Sequence, residues 1–252
     1  MHIRTAAAAT AGSLALLALL APTAQADTHK GDIAFTSVTF SKTTVNVGVS
    51  EIQKLTASAT LKDNSGIRTA MGFKLVSPDD HIQFAKSSTC TRPSSTTMKC
   101  TWSYSLDPDS TDDYFDLRNS SAGTWHLDAE AGAYDGDFYT LDSSVTMKIK
   151  RFAKLATPEP VVKGKTLTVT GALTRADWNT NTYVGFAAQK VALQFKKSGT
   201  STYTTVKTVT TDSTGKLKTT TTANASGTWR WHFPGTGTTN SATATGDGVA
   251  LK

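Results

Sequence analysis

The chain reads as all-β, with two sandwich units in tandem, and three observations point there. Ala-Gly-Thr-Trp at Ala122 to Trp125 recurs as Ser-Gly-Thr-Trp at Ser226 to Trp229, about a hundred residues on, the size of one small domain. A second shared phrase precedes each copy, a glycine turn entering an alternating strand, at Gly48 to Leu61 and again at Gly164 to Leu173. Aromatic and β-branched residues alternate with polar ones over most of the chain, and no helical period lasts beyond a turn or two.

The first residues, MHIR, lead into the apolar Ala6 to Ala21 and the small-residue sequence Ala24-Gln25-Ala26, the three parts of a secretory signal peptide. The apolar core is too short, and too interrupted by Thr10, Gly12 and Ser13, for the ~20 residues of a membrane span. Residues 1–26 are therefore expected to be a signal peptide cleaved after Ala26. The mature protein is expected outside the cell, with no membrane span.

In the first unit, residues 27–152, strands are expected at Ile33 to Phe40, Ile52 to Leu61, Met71 to Val76, Lys99 to Leu106, Thr124 to Ala131 and Ser143 to Lys150. His29 falls in a start expected to be flexible. Cys90 and Cys100 bound an eleven-residue loop, themselves included, and in an oxidising compartment two close cysteines without a nearby histidine favour a disulfide over zinc. Arg151 to Lys163, with Pro158 and Pro160, reads as a linker with the first edge of the next unit, leaving some relative motion between units.

The second unit, residues 153–252, places strands at Pro158 to Val162, Lys165 to Thr174, Gln189 to Lys196, Tyr203 to Thr210, Lys216 to Ala223, Thr228 to Phe233 and Ala242 to Leu251. Turn residues separate them at Ser198-Gly199, Asp212 to Gly215, Asn224 to Gly227 and Pro234 to Gly237. About seven short strands in a hundred residues is the count of an immunoglobulin-like sandwich. Period two turns Trp229, Trp231 and Phe233 inward and Arg230 and His232 outward. The same register turns Trp125, Leu127, Ala129 and Ala131 inward.

Charge is divided unevenly. Residues 27–152 carry thirteen Lys and Arg against sixteen Asp and Glu, net −3, and residues 153–252 carry twelve against four, net +8. The lysines of the second unit stand singly among threonines, the pattern of solubilised strand faces, so nucleic acid is not the expected partner. No HExxH, phosphate-binding glycine loop or Gly-x-Ser-x-Gly turn occurs, and the chain is expected not to be an enzyme.

Carboxylates cluster instead. Asp107, Asp109, Asp112, Asp113 and Asp116 lie within ten residues, and Asp135, Asp137 and Asp142 follow the Trp125 strand. Calcium takes six to eight hard oxygens, which closely spaced aspartates supply, so Asp107, Asp109, Asp112, Asp113, Asp135 and Asp137 are candidate ligands. The first group departs from an EF-hand loop, with Asp112 where glycine is required and Arg118 where glutamate is required. Solvated acidic turns are the other reading of both groups. Trp178 and Tyr183, with Asn179 and Asn181 between them in the loop-like Arg175 to Phe186, could stack on a sugar or plug the open end of a sandwich. Arg92, within the disulfide-closed loop 91–99, is a candidate contact with a partner enzyme.

KGKTLTVTGALTRADW, VALQFKKSGTSTYTTVKTV and SGTWRW, after an acidic unit with a cysteine hairpin, GTW and a DGD loop, resemble the secreted tandem Ig-like β-sandwich proteins of filamentous actinobacteria. The resemblance covers nearly the whole mature chain and implies export, an immunoglobulin-like fold and the calcium-binding label that family carries. The function expected is a non-enzymatic binding or structural protein at the cell surface or in the medium. Its partner would be a cell-wall polymer or secreted protein, and calcium would occupy acidic loops of the first domain. The alternative is an inhibitor or effector presenting loop 91–99 to an enzyme.

Overall fold

The computed structural model describes residues 27–112 and 116–251. The signal-peptide reading of residues 1–26 and the candidate ligand Asp113 lie outside the described residues. Apart from one 3-10 turn, Asn119–Ser121, every regular element described is a strand.

Ten strands form the first sandwich: β1 Thr28–Lys30, β2 Ala34–Phe40, β3 Thr44–Val47, β4 Gln53–Lys62, β5 Ile67–Val76, β6 Ile82–Phe84, β7 Ser87–Ser94, β8 Thr97–Leu106, β9 Gly123–Ala133 and β10 Phe138–Arg151. One sheet runs β1-β10-β9-β5-β6 and the other β2-β4-β8-β7. The long β10 is flanked on one edge by two short strands in turn. Antiparallel β1 pairs with Phe138 to Thr140, and parallel β3 pairs with Lys148 to Arg151. Alternation decides the core as expected, since Trp125, Leu127, Ala129 and Ala131 of β9 are all buried. They meet Leu55, Ala57, Ala59 and Leu61 of β4 and Trp102 and Tyr104 of β8 in one cluster.

Cys90 and Cys100 oppose each other in the β7–β8 register and form a disulfide. The segment between them is hairpin rather than presented loop. The strands continue to Ser94 and resume at Thr97, and the Arg92 guanidinium folds back to donate to the Ile67 carbonyl at 2.5 Å. All eight residues of β7 are exposed at the sheet edge, where Pro93 blunts further pairing. Replacing both cysteines with serine should cost about 2.8 kcal/mol on the chain-entropy model, read as a lower urea midpoint.

The second sandwich holds β11 Ala153–Leu155, β12 Glu159–Lys163, β13 Thr166–Asp177, β14 Thr182–Gly185, β15 Lys190–Lys197, β16 Thr204–Thr210, β17 Lys216–Thr222, β18 Gly227–Phe233, β19 Ala242–Thr243 and β20 Asp247–Val249. Long β13 pairs with β11 and β12 on one edge and with β14 and β17 on the other, facing the sheet of β16, β15, β18, β19 and β20. Trp229, Trp231 and Phe233 fill its core, and Trp231 Nε1 donates to the Thr170 carbonyl at 2.9 Å.

Several short edge strands escape the sequence pattern: β1, β3, β6, β11 and β14. Three or four residues with few buried side chains carry too little periodicity to stand out. The expected last strand, Ala242 to Leu251, is broken into β19 and β20. His29 lies in β1 with its ring stacked on Tyr139, which corrects the expected flexible start.

The segment 151–163 is more strand than linker, nine of its thirteen residues lying in β10, β11 and β12, the last of them at the expected first edge. Arg151, 5 % exposed, donates through Nε to the Ala176 carbonyl at 2.6 Å and approaches Asp177 at 3.6 Å. Its carbonyl accepts Asn240 N–H, and the Lys150 ammonium donates to the Thr236 carbonyl. Trp178 completes the junction. It is 1 % exposed, belongs to the first unit's core, and donates through Nε1 to the carbonyls of Gly48 at 2.9 Å and Val47 at 3.3 Å. Trp178 is thus a plug, but in the neighbouring sandwich rather than its own.

Candidate functional site

Three turns at one end of the first sandwich converge on four carboxylates. Asp32 lies between β1 and β2, Asp63 follows β4, and Asp135 and Asp137 form the turn from β9 to β10. One carboxylate oxygen of each falls within 4.8 Å of the others. Asp63 sits deepest, 3 % exposed. Its Oδ1 accepts Ser65 N–H at 2.7 Å and Ser65 Oγ–H at 2.6 Å, while its buried Oδ2 has no hydrogen-bond partner. Ser65 Oγ in turn accepts Asp135 N–H, Asp135 accepts Asp137 N–H, and Asp137 Oδ2 accepts Asp32 N–H at 2.9 Å. Gly31, at φ +83°, lets the backbone press against this turn, since a Cβ there would overlap the Asp137 carboxylate at 1.6 Å. Gly31→Ala should therefore displace Asp137 and destabilise the first unit by 1 kcal/mol or more, measurable by urea unfolding.

Among the described residues, none of the three ion pairs involves these four aspartates. Four carboxylates repel one another, and a buried unpaired oxygen is costly, so the arrangement asks for positive charge. The donors are hard oxygens without nitrogen or sulfur, a set that could hold a hard cation.

Of the sequence candidates, Asp135 and Asp137 thus come together with Asp32 and Asp63, which sequence reading missed because their neighbours in sequence are not acidic. Asp107, Asp109 and Asp112 do not join them. Asp107 caps its own turn by accepting Asp109 N–H, and Asp109 accepts the Asn181 amide at 2.6 Å across the junction. A second group, His126, Asp128 and Asp142, lies half-buried on the outer face of the first unit, where Lys74 approaches Asp128 at 3.5 Å.

Tyr183 of β14 lines a cleft of about 640 Å³ between the units, with the Lys154 ammonium 3.6 Å from its ring centroid. Asn179 and Asn181 are spent on the junction: Asn179 accepts Asn119 N–H, and Asn181 contacts Asp109. None of the four described histidines sits between a hydroxyl and a carboxylate. His29 stacks on Tyr139, His81 meets the edge of Trp125, His126 contacts Asp128, and His232 bonds the Thr243 hydroxyl. Burial holds the His81 imidazole below its ordinary value.

Asp177 is the electrostatic hub of the junction. Its Oδ1 accepts the Asn119 amide at 3.0 Å and the N–H groups of Asn179 and Thr180. Burial raises its pKa, but these bonds and Arg151 outweigh that and hold it below the usual value of 3.8. A carboxyl depressed in the folded state contributes stability above its unfolded value, lost as pH falls through the folded one. The urea midpoint should drop more steeply below pH 3.8 in the parent than in Asp177→Asn.

No family model matches the chain, and no curated protein matches it. Among solved structures it is similar to dimeric latent PorU from Porphyromonas gingivalis, at 12 % identity and a TM-score of 0.29, over 87 % of this chain and 20 % of that one. The chain thus spans a fifth of the length of PorU. It is also similar to the D00-D0 domain of Intimin, at 11 % identity and a TM-score of 0.26, over 85 % of this chain and all of that one. With the D0-D1 domain of Intimin the values are 14 % and 0.25, over 86 % and 99 %. The class the strands themselves define is the immunoglobulin-like β-sandwich. Among the described residues no helix is long and apolar enough to cross a membrane.

Proposed function

We propose that the chain is a secreted, non-enzymatic binding or structural protein, acting at the cell surface or in the medium, whose first sandwich is held by calcium at Asp32, Asp63, Asp135 and Asp137. The observation that carries the calcium reading is the buried Asp63 Oδ2, without a hydrogen bond among three further carboxylates. The disulfide supports an oxidising compartment. The sequence resemblance to secreted actinobacterial Ig-like proteins is consistent with both.

When bound, the ion supplies charge neutralisation and no chemistry on a substrate. The chain's own residues do the rest. Ser65 orients Asp63, and the tight turn at Gly136, φ +91°, holds Asp135 and Asp137 side by side. Asp32 ties the end of β1 to that turn. Calcium titrated calorimetrically into residues 27–252 should bind at one site, and Asp63→Asn should weaken it at least about tenfold, the loss of one charged ligand. Absence of binding, or equal binding by the variant, would remove the site. The inhibitor alternative is less well supported, because Arg92 is engaged within the protein.

A further inference from the structure

The cleft between the units is a large concavity in which several polar side chains are not used by the fold. One wall is the segment from Thr44 to Gln53, and the other is Phe152, Lys154 and Tyr183. Both walls are fixed from behind: Trp178 bonds the Val47 and Gly48 carbonyls, Phe152 N–H donates to the Val47 carbonyl at 2.8 Å, and Ala176 N–H donates to the Phe152 carbonyl. Gly48 lets the walls close up, since a Cβ there would meet the Tyr183 hydroxyl at 3.2 Å. The cleft is therefore preformed and needs little ordering on binding.

Its lining is chemically specific. Phe152 is 37 % exposed and Tyr183 half-buried, so two aromatic rings border the space. Lys42 and Lys154 supply two ammonium groups, neither within an ion pair among the described residues. The side chains of Asn46, Glu51 and Gln53 likewise make no hydrogen bond among the described residues. This contrasts with the junction just behind, where Asn119, Asp177, Asn179 and Asn181 are all engaged.

We propose that this cleft binds a short carboxylate-bearing saccharide. The exposed Phe152 ring takes the C–H face of a sugar ring, the amides, Glu51 and the Tyr183 hydroxyl take hydroxyls, and the two lysines take a carboxylate. The volume of about 640 Å³ lies in the range of small-ligand sites. The proposal deepens the reading of the chain as a binding protein by naming a ligand class, and it does not depend on calcium.

Trigalacturonate and its fully methyl-esterified counterpart, the same skeleton without charge, are titrated into residues 27–252 in sodium buffer and followed by amide shifts. Trigalacturonate is expected to saturate, with shifts confined to the cleft walls, and the ester to bind about tenfold more weakly. Lys42→Gln with Lys154→Gln should abolish that preference, and Phe152→Ala should weaken both ligands about fivefold. All three side chains are exposed, so unchanged melting temperatures would show that the variants are folded. Equal binding of acid and ester, shifts outside the cleft, or no saturable shift with trigalacturonate would each overturn the proposal. Calorimetry with calcium alone is read separately, so either reading can fail while the other stands.

Discussion

Replacing Trp178 with alanine is expected to lower the stability of the chain by about 3–5 kcal/mol and to split one unfolding transition into two. The first part follows from removing a large, fully buried side chain. The second follows from where that side chain lies, because it leaves the second unit to complete the core of the first. Its loss also strips the Gly48 carbonyl of a donor beside the Arg151–Asp177 contact. Trp229→Ala, equally drastic in volume, removes a residue confined to the second unit's cluster and should destabilise without uncoupling. Calorimetric scans of the two variants distinguish these outcomes. A single transition in Trp178→Ala would mean that the junction is held by Arg151, Asn119 and Asn240 without it.

The second large effect is the response to calcium. At a calcium concentration a hundred times the dissociation constant, linkage raises stability by roughly 2.7 kcal/mol, a shift of about 10 °C for a unit of this size. Asp63→Asn should reverse sign with conditions. In chelator it relieves a buried unpaired charge while keeping an oxygen for Ser65, so the variant should melt above the parent. In calcium it lacks a ligand and should melt below. A merely structural aspartate would give the same sign in both buffers. Because Asp32 N–H bonds Asp137 beside β1, chelation should also speed amide exchange in Thr28 to Lys30.

Much of the fold was legible because burial leaves a period-two trace. The inward faces of Trp125 to Ala131 and Trp229 to Phe233 could be read directly, since each strand is half-buried and long enough to show alternation. What left no trace was short or non-local. β14, only four residues long, carries no period of its own, and Trp178 gives no local sign that its pocket lies across the junction, about 130 residues earlier in the chain. The candidate cation site was half legible for the same reason. Asp135 and Asp137 stand out by spacing, but Asp32 and Asp63 are isolated aspartates that only the sheet register brings near. Local density points instead to Asp107, Asp109 and Asp112, of which Asp107 caps its own turn, Asp109 accepts the Asn181 amide and Asp112 donates its backbone N–H to Ser110 Oγ.

Crystals of residues 27–252 grown with terbium in place of calcium would locate the bound ion through the position of the anomalous peak. The strongest peak is expected among Asp32, Asp63, Asp135 and Asp137, with an oxygen of Asp63 in its coordination shell and the peak missing in Asp63→Asn. A peak at Asp107 to Asp112 or at His126, Asp128 and Asp142, with none beside Asp63, would contradict it.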